Sequence, residues 1–384
     1  MFKQSTFLQL KTLSSLNNLN TSRSLYTSVL KSDINITKNG KTNISVGQGG
    51  RSSRTGYTAT VFGASGFLGR YVTSKLARHG TITIVPFRDQ MKSRFLKVTG
   101  DLGVVNLVEF DLRNIKSIED SIKHSDIVFN CIGADYHTKN FSMADINIEA
   151  ARRIAKITKD YEVPRLVHVS SYNADPDSSS VFYATKGIGE AAVREEYPNA
   201  TIVRPSPMFG REDKILRHWG NKATIFNFNS NKTKIYPTHV LDVAKALELI
   251  GFDDSTEGQL YELYGNTEYS LDEIRKIIEP FTKQKYINID IPKPIALLMT
   301  NYLQYIYWKT TNPDQVERAY IDQIIDFRDP NIKTYNDLGI VPDTLTDHVL
   351  KYTKQFRTYL HSHDLPPSEK ELKNLRKYAH VIEN

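Results

Sequence analysis

The chain has 384 residues, a net charge of +7, 40% hydrophobic residues and one cysteine. This length exceeds that of one small domain, and the apolar content supports a real core, which excludes a disordered protein. A single cysteine, Cys131, excludes a disulfide framework and iron–sulfur ligation, and no stretch reaches the ~20 apolar residues of a membrane span.

The amino end has the composition of a mitochondrial presequence. Residues 1–32 contain Lys and Arg but no acid, and they are rich in Ser, Thr, Asn and Leu. The segment Arg23–Tyr26 is typical of a matrix-protease cleavage neighbourhood, so residues 1–26 are predicted to be removed, with a disordered tail as the alternative. Residues 27–56 hold several Gly, Ser and Arg residues, which predicts an extended arm rather than a packed element.

From Tyr57 onward, short β-branched runs alternate with helical stretches, which predicts right-handed βαβ units and a parallel sheet. The strands are predicted at Thr58–Phe62, Thr81–Pro86, Val104–Phe110, Asp126–Ile132, Arg165–Ser170 and Thr201–Arg204. The helices between them include Phe67–His79, Met143–Lys159 and Thr185–Glu196. The fold class is therefore α/β, with a Rossmann-type doubly wound parallel sheet in residues 57–205.

After Pro205 the alternation weakens, which predicts a smaller C-terminal lobe, α/β at first and then mostly helical, in residues 206–350, followed by a polar helical tail in residues 351–384. The lobe is predicted to contain a turn and helix at Tyr236–Ile250, a strand at Gly258–Tyr264 and a capped helix at Ser270–Glu279. The apolar stretch Ile295–Trp308 suits either a core helix or a contact with a membrane surface or partner.

A glycine-rich loop between the first strand and the first helix is the sharpest signal for a binding site. It reads Gly63-Ala64-Ser65-Gly66-Phe67-Leu68-Gly69. Gly63 permits the tight turn, Gly66 allows the backbone to approach a pyrophosphate, and Gly69 allows close packing of the helix. Because the helix N-terminus offers free N–H groups and a positive dipole end, this loop predicts a dinucleotide site.

The charges beside the loop favour NADPH over NAD. Arg70 directly follows Gly69, and Arg88 follows the second strand, so two guanidinium groups are available for a 2′-phosphate. Asp89 is the competing feature, because an acid that points at the ribose would select NAD. Asp111 and Leu112, after the third strand, are predicted to flank the adenine. The fourth strand is followed by two residues that are predicted to lie along the cofactor, Ile132 and Gly133.

The arrangement resembles the extended and atypical short-chain dehydrogenase/reductases. That family pairs a Tyr with a Lys four positions later and adds a Ser from the preceding strand end. Lys186 matches the Lys, and Ser170 and Ser171 are the Ser candidates, but Phe182 stands at the Tyr position. Tyr183 lies three residues before Lys186 and points roughly 100° away from the usual direction. These positions predict a site that binds a cofactor without catalysis, with Ser170, Lys186 and Pro205 among the cofactor contacts.

Further segments resemble the Rossmann-type accessory subunit family of mitochondrial respiratory complex I. They occur in order along the chain: Gly50-Arg51-Ser52-Ser53, Ala59–Val72, Pro86-Phe87-Arg88, Lys186–Glu190, Val203–Asp213 and Asp337–Pro342. The resemblance implies tightly bound, structural NADPH and no redox centre. It also implies a place in the peripheral arm, on the matrix side of the inner membrane, near the quinone site and the membrane junction, with other complex I subunits as partners.

Two other functions are weighed against this one. A catalytic NADPH-dependent reductase or epimerase would use Ser171, Tyr183 and Lys186. An RNA-binding Rossmann protein is suggested only by the net charge, and no basic stripe with interleaved aromatics supports it, so no nucleic-acid partner is predicted. No metal-ligand spacing occurs, and His168 and His239 are predicted to be packing or surface groups.

Overall fold

The structure is a computed structural model, and its α/β architecture is the one that the sequence predicts. It describes residues 34–36, 40–46, 53–220, 224–282, 287–303, 312–325 and 331–356. The predicted presequence and the tail beyond residue 356 lie outside these ranges. Within them, none of the helices has both the length and the apolar character that crossing a bilayer requires.

The strands alternate with helices through the first half of the chain. The strands are β1 Ile34–Ile36, β2 Thr42–Ile44, β3 Thr58–Phe62, β4 Ile82–Phe87, β5 Val105–Glu109, β6 Ile127–Asn130, β7 Arg165–Val169, β8 Thr201–Pro205, β9 Met208–Phe209, β10 Thr224–Asn227, β11 Lys234–Ile235, β12 Thr238–His239, β13 Leu260–Leu263, β14 Tyr269–Ser270, β15 Ile287–Asp290 and β16 Ile332–Lys333. The helices are α1 Phe67–Arg78, α2 Gln90–Ser93, α3 Ile115–Ile122, α4 Ala150–Asp160, α5 Val181–Glu196, α6 Ile215–Gly220, α7 Val240–Phe252, α8 Leu271–Thr282, α9 Lys293–Leu303, α10 Pro313–Arg318 and α11 Leu345–Thr353.

Eight parallel strands form the central sheet in the order β16-β13-β8-β7-β6-β3-β4-β5. The chain runs outward from β3 through β4 to β5 and then returns to β6 on the other side of β3. Strand order therefore reverses between β3 and β6, and in open α/β sheets ligands bind outside the carboxyl ends of the strands at such a switch point. The predicted Rossmann-type doubly wound sheet and its six predicted strands are confirmed.

Helices cover both faces of the sheet, so its central strands β3, β6 and β7 are buried along almost their whole length. α1 and α7 pack on one face in a first hydrophobic cluster that includes Val72 and Val243. α3, α4 and α5 pack on the other face in a second cluster that includes Ile118 and Ile154. A third cluster, which joins Phe209 to residues of α6, α8 and α11, forms the core of the C-terminal lobe.

The central sheet continues beyond residue 205, the domain boundary predicted from the sequence. β13 pairs in parallel with β8, and β16 pairs in parallel with β13. α7 also belongs to the first cluster rather than to the lobe. These strands have only a few residues each and carry polar side chains, so their periodicity did not reveal that they extend the central sheet.

The described residues of the arm before Tyr57 form more regular structure than predicted. β1 and β2 form an antiparallel hairpin, and Val46 bridges to Arg54. Lys41 forms an ion pair with the buried carboxylate of Asp126 at 2.9 Å. Part of this segment therefore packs on the domain. In the lobe, by contrast, the predicted capping box is confirmed: Glu273 N donates to Ser270 Oγ at 3.2 Å, and Ser270 N donates to the Glu273 carboxylate at 2.8 Å.

Candidate functional site

The glycine loop joins β3 to α1 at the switch point. Gly63 has a φ of +76°, and a Cβ there would lie 2.8 Å from the Cys131 carbonyl oxygen, so only glycine fits. A Cβ on Gly69 would clash with the backbone of Gly63 and Ala64. Gly66 is the N-cap of α1 and supplies no side-chain cap, so first-turn N–H groups, including those of Phe67 and Leu68, remain for an anion. The loop therefore depends on its glycines, because a side chain at Gly63 or Gly69 would clash with the backbone.

Arg70 lies across the outside of this loop. Its Nε donates to the Gly66 carbonyl oxygen at 3.2 Å, and its Nη2 donates to the Ser65 carbonyl oxygen at 3.1 Å. Nη1 forms an ion pair with Glu212 at 3.0 Å, and the guanidinium lies 5.1 Å from the centre of the Phe95 ring. Three of its five N–H donors are therefore engaged by the protein. Sequence reasoning gave Arg70 to a 2′-phosphate alone and missed these contacts.

Arg88 and Asp89, which directly follow β4, have different surroundings. Arg88 is exposed to solvent. Asp89 is the N-cap of α2: its carboxylate accepts from Met91 N at 3.0 Å and pairs with Lys92 at 3.2 Å. These contacts, with that of Lys92 the largest, hold the pKa of Asp89 below its usual value. The acid that could have selected NAD is therefore occupied, while the cation beside it is open to a ligand.

Asp111 and Leu112, which are predicted to flank the adenine, have different surroundings. Asp111 is exposed and accepts from Arg113 N at 2.9 Å in a local turn. Leu112 is buried in the second cluster beside Phe110, because an apolar side chain at this position completes the core. Only Asp111 of the two presents its side chain at the sheet edge.

Lys186 lies buried beside the loop that follows β6. It is 4% exposed, and its Nζ donates to the Val169 carbonyl oxygen at 3.3 Å. A Cβ on Gly133 would lie 3.0 Å from this Nζ. Burial lowers the pKa of Lys186 to about 8, an effect that the carboxylate of Glu190 partly offsets. The described residues give this ammonium group one acceptor for its three donors, so the hydroxyl groups of a bound ribose would complete its hydrogen bonding.

Two further polar atoms next to Lys186 are buried without a partner among the described residues. They are Ser170 Oγ, at the end of β7, and His168 Nε2. Burial lowers the pKa of His168 to about 3, and the charge of Lys186 adds to this effect. A neutral imidazole and an unpaired hydroxyl on β7, the strand next to β6, are what a site for a polar ligand would offer. Pro205, at the end of neighbouring β8, is buried and accepts from Tyr172 N at 3.3 Å.

Tyr183 is packed inside the protein. It is 1% exposed, and its ring packs 5.4 Å from that of Tyr172. Burial, followed by the influence of Tyr172, raises its pKa far above its usual value. α5 begins at Val181, four residues before its predicted start, so Phe182 and Tyr183 are both helical. A general acid needs a proton to give and an acceptor within about 3 Å; Phe182 carries no such proton, and Tyr183 is buried against Tyr172.

A segment of the C-terminal lobe, residues 312–325, packs on the start of α5 and on the loop after β6, and we call it the cover segment. Its Arg318 places the guanidinium 4.7 Å from the centre of the Phe182 ring and donates to the Asp135 carbonyl oxygen at 3.2 Å. Asp314 accepts from Ser180 Oγ at 2.9 Å. Phe182 therefore packs against the protein's own arginine. Ser171, the other Ser candidate, follows Ser170 after the end of β7 and is also buried.

Comparison with known proteins shows the family to which this chain belongs. The chain is 47% identical over 356 residues, covering 91% of its length and 93% of the relative's, to the "NADH-ubiquinone oxidoreductase 40 kDa subunit, mitochondrial" of Neurospora crassa. It is 36% identical over 323 residues, covering 82% and 84%, to the "NADH dehydrogenase (ubiquinone) 1 alpha subcomplex subunit 9, mitochondrial" of Mus musculus. The chain belongs to the 40 kDa subunit family.

The fold of this 40 kDa subunit family member is shared more widely. The model of the NAD dependent epimerase/dehydratase family matches residues 59–250. The crystal structure of the NADPH-dependent quinone oxidoreductase QOR2 from Escherichia coli, complexed with NADPH, superposes with a TM-score of 0.59 at 15% identity and covers 76% of this chain and 98% of that one. At this identity the likeness shows the fold alone.

One residue of the site was missed by sequence reasoning in this 40 kDa subunit family member. Asn147 lies in a single π-helical turn, Asp145–Glu149, before α4. Its side chain accepts from Ala134 N at 3.1 Å and donates to Ala134 O at 3.0 Å and to Thr185 Oγ1 at 3.1 Å. It thereby fixes the loop after β6 against α5, where Lys186 lies. A buried asparagine in a helical pattern was the available signal, because π turns often occur at functional sites.

A cluster of possible metal ligands lies in the C-terminal lobe and not at this site. It joins His239, Asp343 and His348, with Asp343 Oδ2 lying 3.1 Å from His239 Nδ1 and 3.0 Å from His348 Nε2. The two imidazole rings are stacked, with centroids 4.3 Å apart and planes 20° apart. Ring nitrogens bind a metal in the plane of the ring, so stacked rings do not converge on one ion. His239 is buried and also stacks on Phe209.

Proposed function

We propose that this chain is a non-catalytic accessory subunit of mitochondrial complex I that holds NADPH as a structural cofactor. The observation that carries the subunit role is the 47% identity over 91% of the chain to a 40 kDa subunit of NADH-ubiquinone oxidoreductase. The partners are then other complex I subunits, and the place of action is the mitochondrion. By resemblance, the chain lies in the peripheral arm on the matrix side of the inner membrane, near the quinone site and the membrane junction.

The site geometry fits a dinucleotide. The uncapped start of α1 would hold the diphosphate, and Lys186 and Ser170 Oγ would bind the ribose and the nicotinamide end. The Lys186 ammonium group packs so closely on Gly133 that a Cβ there would lie 3.0 Å from Nζ, so a side chain at position 133 would displace this ammonium group. A bound dinucleotide would satisfy buried polar atoms that the described residues leave unpaired, which is the reason for binding one tightly.

The charges support NADPH rather than NAD. Asp89 is committed to the N-terminus of α2 and to Lys92, and exposed Arg88 stands beside it. Arg88 would pair with a 2′-phosphate, and Arg70 would contribute with the donors that its protein contacts leave over. An NAD ribose would instead need an acid at this strand end with free oxygen atoms.

The absence of catalysis is supported by two features of the described site. Phe182 carries no proton at the position where the reductase family has a Tyr, and Tyr183 is buried against Tyr172. Arg318 of the cover segment packs on the ring of Phe182. A cofactor that binds the folded state alone stabilises it by ~4 kcal/mol when present at a thousand times its Kd. The role of NADPH is therefore to stabilise the subunit.

Helix α9 supplies a surface for contact with a membrane or a neighbouring subunit. Its exposed apolar residues recur at helical spacing along one face: Ile295, Leu298, Met299 and Tyr302. Ala296 and Thr300 are buried on the opposite side. The rest of the predicted apolar stretch, as far as Trp308, lies outside the described residues. An exposed apolar stripe on a helix whose other side is packed is typical of an interfacial contact.

Replacement of Gly66 tests the structural role of the cofactor. Gly66 lies in the glycine loop, which is the phosphate loop of the proposed site. Gly66 has a φ of −74°, so Gly66→Val places a side chain against the phosphates without left-handed strain. Ala191→Val, on the exposed face of α5, is the control that introduces the same side chain away from the site. In mitochondria that lack the native protein, we expect Ala191→Val to restore a stable complex I and Gly66→Val to fail. Full assembly with Gly66→Val protein that binds no nucleotide would refute the proposal.

A further inference from the structure

One carboxylate joins the phosphate loop to the C-terminal lobe. Glu212, between β9 and α6, uses its two oxygens separately: Oε1 pairs with Arg70 Nη1 at 3.0 Å, and Oε2 accepts from Tyr71 Oη at 2.8 Å. Arg70 in turn bonds to the carbonyl oxygens of Ser65 and Gly66. The chain of contacts therefore runs from the backbone of the loop, through one guanidinium group, to a residue far away in sequence.

The residues around Glu212 are packed tightly, so a shift of Glu212 would move its neighbours. Gly210 approaches the start of α1 so closely that a Cβ on it would lie 3.1 Å from the Phe67 ring. Asp213 accepts from Gly210 N at 3.4 Å and Leu216 N at 3.2 Å and so fixes the first turn of α6. α6 contributes Leu216 to the third cluster, the core of the lobe.

We propose that Glu212 is a positioning residue that couples cofactor occupancy of the phosphate loop to the order of the C-terminal lobe. The inference rests on the proposed binding of NADPH. An anion at the start of α1 fixes Ser65, Gly66 and the guanidinium that bonds to both. Glu212 transmits this constraint to α6, so the C-terminal lobe is most ordered when the cofactor is bound. By linkage, a subunit docked on an ordered lobe tightens the hold on the cofactor.

The pair contributes little to stability by itself. The side chains of Arg70 and Glu212 are 27% and 32% exposed, and ion pairs with this much solvent contact are weak. Coupling and intrinsic stability are therefore separable by experiment: removal of the Glu212 charge should leave the protein without cofactor almost unchanged, while the response of the lobe to cofactor disappears.

The chain offers a matched control. Glu268, in the C-terminal lobe, also bridges a cation and a tyrosine: it pairs with Lys234 at 2.7 Å and accepts from Tyr236 Oη at 2.7 Å. Glu212→Gln and Glu268→Gln thus make the same chemical change in the same kind of contact, but only the first lies beside the phosphate loop.

The experiment measures three quantities on the mature full chain: the melting temperature without cofactor, the Kd for NADPH, and the NADPH-induced protection of α6 from amide exchange. We expect Glu212→Gln to keep the melting temperature, weaken NADPH binding roughly fivefold, which is at the lower end of typical coupling, and abolish the protection of α6. Glu268→Gln should behave as the wild type in all three.

Two outcomes would overturn the inference, and they are distinguishable. If the wild type binds NADPH and Glu212→Gln binds it equally well with the same protection of α6, the coupling is absent while the proposed cofactor stands. If the wild type binds no NADPH, the proposed cofactor fails and the coupling with it. The double variant with Arg70→Gln should weaken binding no more than Arg70→Gln alone, because both changes break one connection.

Discussion

Lys186→Met should stabilise the cofactor-free protein and weaken cofactor binding at the same time. The lysine is buried, and its pKa is lowered from 10.5 to about 8 because burial disfavours its charge, which corresponds to a penalty of up to about 3 kcal/mol at neutral pH. Methionine has similar length and no charge, so the penalty disappears. We expect the melting temperature without cofactor to rise by roughly 5 °C.

Cofactor binding should change in the opposite direction. A hydrogen bond from a charged donor contributes about 1.5–3 kcal/mol, so loss of the Lys186 contact to the ribose should weaken NADPH binding by about 10- to 100-fold. Thermal unfolding with and without NADPH, together with calorimetric titration, measures both effects. A variant that unfolds at a lower temperature without cofactor, or that binds NADPH as tightly as the wild type, would refute the role given to this lysine.

The pH dependence provides a second test of the same residue. Below pH 8 the lysine is protonated in both the folded and the unfolded state, and the burial penalty is constant. Between about pH 8 and pH 10 the folded protein releases this proton while the unfolded chain, with a pKa near 10.4, retains it. The stability of the wild type relative to Lys186→Met should therefore rise with pH in this window. A constant difference would show that Lys186 is not buried as a charge.

Three further variants test separate parts of the site. Gly69→Ala should abolish NADPH binding, since its Cβ clashes with the Gly63 backbone; retention of bound nucleotide after purification would contradict this. Arg88→Glu should reverse the preference of NADPH over NADH, measured as the ratio of the two dissociation constants, and an unchanged ratio would assign the 2′-phosphate elsewhere. Tyr183→Phe removes a buried hydroxyl group beside Tyr172 and should leave NADPH binding intact. If Tyr183→Phe instead removed a measurable carbonyl reductase activity, the protein would be an enzyme.

The phosphate loop and the six strands of the first half were predictable because they depend on neighbours in sequence. A β-branched run followed by closely spaced glycines and a helical pattern requires the tight turn that Gly63 makes. The boundary of the domain was not predictable, because β13 and β16 are short and gain their stability from pairing with strands far away along the chain.

The environment of each charged or aromatic residue in the site was harder to predict than its position. The pattern placed Arg70 beside the glycine loop, but its partner Glu212 lies far away in sequence, between β9 and α6. The pattern also placed Tyr183 near Lys186, but its burial against Tyr172 depends on where α5 begins. The cover segment contains no recognisable sequence motif. Its contact with Phe182 through Arg318 depends on the tertiary structure and could not be predicted from the sequence.

The most direct test of the account uses the native protein, isolated from mitochondria in mild detergent. The complex with which it co-purifies is identified, the protein is then denatured, and the released nucleotide is quantified. The account predicts a complex with NADH:ubiquinone activity and one NADPH for each copy of this chain. A free protein that releases its nucleotide readily and reduces a carbonyl substrate would contradict it.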